Sequence, residues 1–107
     1  MRQAEIYFKS EKAGLLTQHD DGSFTYQYYD EWMLDGSKPS ISLTLPKTNK
    51  EYNAEYLFPF FYNMLPEGTN KQVVCKHMRI DKDDYFGMLM ATAKYDTIGA
   101  ITIKKYK

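Results

Sequence analysis

The sequence predicts a single α+β domain over residues 1–107: a small antiparallel β-sheet or partly open barrel, made of an N-terminal meander plus a C-terminal strand and packed with about three short helices. Three observations predict it. Apolar and polar residues alternate through the first third of the chain. After Pro59 the apolar spacing lengthens to the helical period of about 3.6. A short apolar run, Ile98 to Ile103, then closes the chain. Strands, then helices, then one strand is an α+β order rather than a βαβ repeat. The closing strand has to return to the sheet, because a lone strand leaves its backbone groups unpaired.

The elements follow in order. Ile6 and Phe8 share one face of a first strand, with Tyr7 and Lys9 on the other. Ser10 to Gly14 is expected to turn, and Leu15 to Gln18 to form a second strand. Asp20-Asp21-Gly22 suits a hairpin, because glycine accepts the positive φ such turns use. Phe24, Tyr26 and Tyr28 alternate with Thr25, Gln27 and Tyr29 in a β-pattern rich in aromatics. Asp30 is expected to cap a helical turn, Glu31 to Leu34, that Gly36 and Pro39 break. Ile41, Leu43 and Leu45 would face one way on a fourth strand ended by Pro46, with Lys47 to Asn53 a polar loop.

Pro59 suits the first position of a helix, where its missing N–H costs little. Phe60, Phe61, Met64 and Leu65 share a face, and Pro66 stops that helix. Thr69 with Gln72 is a capping-box pattern for a second helix reaching about Arg79, with Val73, Val74, His77 and Met78 at core-like spacing. Asp81 and Asp84 favour the positive start of a third, whose stripe is Phe86, Leu89 and Met90. Gly87 inside it costs about 1 kcal/mol relative to alanine.

Composition narrows the function. Fourteen basic and fourteen acidic side chains cancel, so no long-range field gathers phosphates and direct nucleic-acid binding is not expected. One cysteine, Cys75, excludes an internal disulfide framework and fits a reducing compartment. No basic start precedes an apolar run, and no segment approaches the roughly 20 apolar residues of a membrane span. A cytoplasmic protein without membrane contact is the expectation.

Catalytic chemistry is hard to assemble from these residues. His19-Asp20-Asp21 reads as a turn rather than a metal site. Cys75 and His77, two apart on a helix, fall on different faces. Asp81, Asp83 and Asp84 read as caps, and Glu67 as a charge near a helix start. There is no glycine-rich loop with lysine and no His-Arg-Asp or Asp-Phe-Gly set, so phosphoryl transfer lacks its metal-binding acids and placed lysine. No catalytic residue, metal or cofactor is expected. Ten tyrosines, six phenylalanines and one tryptophan exceed what so small a core hides. Trp32 and the Phe60–Tyr62 triplet are expected at the surface, where exposed aromatics often anchor protein partners.

Several motifs carry a resemblance. Ser40-Ile41-Ser42-Leu43-Thr44-Leu45-Pro46, then Phe60 through Gly68, then Asp96-Thr97-Ile98-Gly99-Ala100 resemble, in this order, the N-terminal subdomain of HipA-type serine/threonine kinases. These are toxin kinases of bacterial toxin–antitoxin operons. Glu5-Ile6-Tyr7 through Gly14-Leu15-Leu16, Phe24-Thr25-Tyr26-Gln27-Tyr28 and Glu31-Trp32-Met33 resemble further family segments, so the likeness spans nearly the whole chain. Two places depart from it. Lys94-Tyr95-Asp96 keeps only the aspartate of a Gly-Arg-Asp triplet, and Thr69-Asn70-Lys71-Gln72 is poorer in arginine than its counterpart.

The resemblance implies a non-catalytic protein that begins at Met1 and ends before any kinase core, as in the HipS-like members of the family. It would be a regulatory subunit that binds and restrains a separately encoded HipA- or HipT-like kinase, near a HipB-like DNA-binding protein. Trp32, Phe61, Tyr62, Pro66, Glu67, Tyr95 and Asp96 are the expected partner-facing residues. Two alternatives remain at this level: a stabilising or activating lobe of a split kinase, and a DNA-binding accessory of the operon repressor.

Overall fold

The structure, a computed structural model, describes residues 1–65, 68–92 and 100–106. Among them lies one open antiparallel sheet of five strands: β1 (Arg2–Phe8), β2 (Glu11–Gln18), β3 (Phe24–Tyr28), β4 (Glu51–Ala54) and β5 (Ile101–Lys105). Their order is β4-β3-β2-β1-β5. The chain meanders outward from β1 to β4, and β5 returns to the far side of β1, where Ile6 faces Ile103. Four helices accompany the sheet: α1 (Asp30–Leu34), α2 (Pro59–Tyr62), α3 (Gly68–Met78) and α4 (Tyr85–Thr92). The predicted α+β class with an open sheet is what forms.

The period-two pattern of the sequence becomes the two faces of this sheet. Ala4, Ile6, Leu16, Phe24, Tyr26, Tyr28, Ile101 and Ile103 are buried on one face. Phe58 and Phe61, and Phe86 and Leu89 of α4, close over them. Gly14 makes this packing possible. A Cβ there would lie 2.6 Å from both Tyr26 Cζ and the Gln27 carbonyl oxygen, so only glycine lets the Tyr26 ring cross β2.

The hairpins are tighter than expected at one point. Lys9 and Ser10 both take positive φ, 49° and 70°, which is the two-residue turn that matches strand twist. Strand β2 therefore starts at Glu11 instead of after Gly14. Asp30 opens α1 without a capping bond, and Tyr29 is the residue before it. Asp30 instead pairs with Lys50.

The main departure concerns residues 40–54. The alternating Ser40–Pro46 segment is not a strand, and β4 forms inside the stretch read as a polar loop. The cause lies in two tyrosine hydroxyls. Tyr28 Oη accepts the Ile41 N–H at 3.1 Å and donates to the Leu45 carbonyl. Tyr52 Oη donates to the Pro46 carbonyl at 2.6 Å. These bonds satisfy the segment's backbone from below, while Lys47 Nζ reaches the Asp35 and Lys38 carbonyls. Ile41 and Leu45 are buried, but Leu43 is turned fully outward. The neighbouring Glu51–Ala54 is left to pair with β3, Tyr52 opposite Tyr26.

The helices hold two corrections. No residue of α3 is buried, and Val73 and Met78 are half exposed. Its mixed sequence has no continuous apolar stripe, so it rests lightly on α4, with the Cys75 thiol 3.6 Å from Met88 Sδ. The glycine in α4 has a purpose. A Cβ on Gly87 would sit 2.9 Å from Asp84 Cγ, and the absence of one lets the Asp84 carboxylate accept the Gly87 N–H at 3.0 Å and cap the helix. Ile98 and Gly99, expected in the last strand, lie outside the described residues.

Two buried hydroxyls on one strand predict opposite results. Tyr28→Phe leaves the Ile41 N–H and Leu45 carbonyl unpaired and is expected to cost about 1–3 kcal/mol. The Tyr26 hydroxyl has no partner among the described residues, so Tyr26→Phe should be neutral or stabilising. Urea unfolding midpoints at unchanged slope measure both.

Candidate functional site: an aromatic groove at one end of the sheet

The ends of three strands, the last residue of α2 and the start of α4 converge beside the β2–β3 hairpin. There they enclose a groove of about 320 Å³. Phe24, the first residue of β3, forms its floor and stacks on Phe86 with ring centroids 6.4 Å apart. Tyr56, ahead of α2, Tyr62, its last residue, and Tyr85, at the start of α4, form its walls. Tyr62 and Tyr85 meet edge to face at 5.6 Å and 83°. Glu55 and Asp83 stand at the rim.

Local sequence places each wall. Phe58 and Pro59 start α2, Pro59 at the first turn, and the turn winds on through i→i+3 bonds to Leu65. That winding buries Phe61 and turns Tyr62 outward. Tyr56 precedes the buried pair Leu57 and Phe58 and is left 80 % exposed. Tyr85 is set by Asp84. Arg2 of β1 grips the Asp84 carboxylate with two nitrogens, at 2.6 and 3.1 Å, and lies 5.0 Å over the Phe86 ring. The Arg2 bond, with the Gly87 N–H behind it, holds the Asp84 carboxyl below its ordinary pKa.

Other hollows are less available. One on the outer sheet face centres on Glu5, but Glu5 already accepts the Tyr29 hydroxyl at 2.9 Å and pairs with Lys12 at 3.6 Å. Among the described residues no cluster of three or more histidines, cysteines or carboxylates could hold a metal ion. His19 bonds Thr25, and Asp21 bonds Ser23, so the His19–Asp21 turn disperses its side chains. No helix of the described residues is long and apolar enough to cross a membrane.

Of the seven residues expected to face a partner, Tyr62 lines the groove. Two expectations of exposure are corrected. Trp32 is 3 % exposed: it packs on Phe8 at 5.5 Å and donates from Nε1 to the Pro39 carbonyl at 2.8 Å. Phe61 is wholly buried between Tyr26 and Phe60. A five-residue α1 and a four-residue α2 each bury one side chain, and the phase of so short a helix decides that these are Trp32 and Phe61. Pro66, Glu67, Tyr95 and Asp96 lie outside the described residues. Tyr56 and Tyr85 went unnoticed in the sequence, since neither falls on an apolar stripe. Each does follow an acidic residue at the edge of an element, Glu55 just past β4 and Asp84 just before α4, which was the available signal.

Comparison with known proteins places this architecture. Residues 4–104 match the family model described as the HipA N-terminal domain. A solved structure of the N-terminal domain of HipA toxin superposes with a TM-score of 0.73 at 25 % identity, covering 100 % of this chain and 94 % of that one. An uncharacterized protein of Haemophilus influenzae is 28 % identical over 107 residues, spanning 95 % of its length. A Sinorhizobium fredii protein named "Putative kinase Y4mE" is 24 % identical over 89 residues, and the match spans 21 % of that protein.

The Arg2–Asp84 pair carries a pH prediction. A carboxyl whose folded pKa is depressed stabilises the fold above its unfolded value, near 4, and loses that contribution as pH falls through the folded value. Stability should therefore fall below about pH 4, and Asp84→Ala should flatten that limb while costing about 1–2 kcal/mol at neutral pH through the lost cap. Urea titrations of both proteins across pH measure it.

Proposed function

We propose that this chain, which belongs to the HipA N-terminal domain family, is a non-catalytic regulatory subunit that docks on a separate HipA- or HipT-type serine/threonine kinase and restrains it. The observation that carries the reading is the contrast between two relatives. In the Sinorhizobium protein named as a kinase, the matched domain is 21 % of the chain. In the Haemophilus protein it is 95 %. The matched domain thus occurs both as part of a larger chain and nearly by itself.

The aromatic groove supports docking. Tyr56 and Tyr62 are exposed on a rigid frame, and tyrosines of that kind are enriched among interface residues that dominate affinity. They offer large contact area with few rotors to freeze. Neutral net charge favours a protein partner over a phosphate backbone.

The chain and the kinase core encoded with it are expected to co-purify, and adding the chain is expected to lower kinase autophosphorylation. A rise in phosphorylation would assign the chain to the activating lobe of a split kinase, and the absence of a complex would end the docking reading. The double variant Tyr56→Ala/Tyr62→Ala should weaken binding by about tenfold or more, since each 1.4 kcal/mol is a factor of ten. Isothermal titration calorimetry gives that ratio.

A further inference from the structure

We propose that the groove takes a positively charged side chain of the partner, an arginine or lysine, held against the rings of Tyr56, Tyr62 and Tyr85 and between the carboxylates of Glu55 and Asp83. The inference deepens the docking role proposed above and rests on it for the identity of the partner, though not for the chemistry of the site.

Three features point to a cation. The first is the walls. Three phenol rings line one groove, and the electron-rich faces of such rings attract ammonium and guanidinium groups, the more so when water is excluded. The second is charge. Glu55 and Asp83 are both exposed at the rim, and among the described residues no lysine, arginine or histidine lines the groove. The two charged side chains that line it are thus both acidic, in a chain whose total charge is zero. The third is a cation already in place. Lys71 of α3, which does not itself line the groove, holds its Nζ 5.5 Å over the Tyr85 ring, so that ring already accepts an ammonium group from the chain.

The dimensions agree with one long side chain. About 320 Å³ is at the small end of ligand sites. An arginine or lysine stem can lie along Phe24 and Leu57 while its charged head stays at the rim, the way such side chains cover apolar surface. A purely apolar side chain would fill the same space and leave both carboxylates unpaired.

The chemistry is testable without the kinase. N-acetyl-arginine methylamide and its neutral counterpart N-acetyl-norleucine methylamide are titrated into the intact, ring-labelled protein and followed by NMR. Arginine is expected to move the ring resonances of Tyr56, Tyr62 and Tyr85 several-fold more than norleucine. The shift should shrink in Glu55→Gln/Asp83→Asn and in high salt. Equal shifts from both compounds, an arginine response unchanged in the double variant, or no response at these rings would overturn the inference. Failure of this titration beside an intact kinase complex leaves the docking role standing. A positive titration without any complex removes the docking role and keeps the cation site.

Discussion

Strand β3 is the part on which the rest of the molecule depends. Its three inward aromatics each hold a different layer. Phe24 stacks on Phe86 and so seats α4. Tyr26 crosses Gly14 and meets Phe61, which seats α2. Tyr28 packs edge to face on Tyr26 at 4.9 Å and binds the 41–45 backbone through its hydroxyl. Both neighbouring strands pair with β3, so one five-residue strand ties sheet, helices and the long connection into one core. Aromatic side chains suit this role because each buries a large area and prefers offset or edge-to-face contact.

This arrangement explains which parts of the fold were legible in sequence. Strands β1 and β3 showed in the period-two alternation because one face is buried, whereas β2 buries Ala13 and Gly14 in succession and its first half read as a turn. The helices after Pro59 showed in the change of period, and the closing strand in its isoleucines. Residues 40–54 misled, because Ile41, Leu43 and Leu45 alternate as a strand would. What decides their conformation is a pair of hydroxyls, on Tyr28 and Tyr52, that are distant in sequence or belong to the strand that forms instead. Helix α3 misled for a related reason: Val73 and Val74 resemble a core stripe until the surrounding lysines and histidine are seen to leave no continuous apolar face.

The candidate site was less legible. Tyr62 was anticipated from its place in an aromatic triplet, yet helical winding buries Phe61 and exposes Tyr62. Only the phase of a very short helix decides between them. Tyr56 and Tyr85 are 29 positions apart in sequence and meet the same groove because Phe24 seats α4 on Phe86 while Arg2 clamps its first turn. The groove is thus a consequence of the same aromatic strand that builds the core. A floor and walls held in place by core packing reduce the ordering cost of binding, which suits the proposed docking role.

The proposed docking role requires that this surface meet a kinase core. Amide hydrogen exchange of the chain, alone and with a HipA-type kinase core, tests it. Slowed exchange concentrated at residues 55–62 and 83–85 is expected on complex formation. Slowed exchange confined to the outer sheet face or to α3, with the groove unchanged, would contradict it.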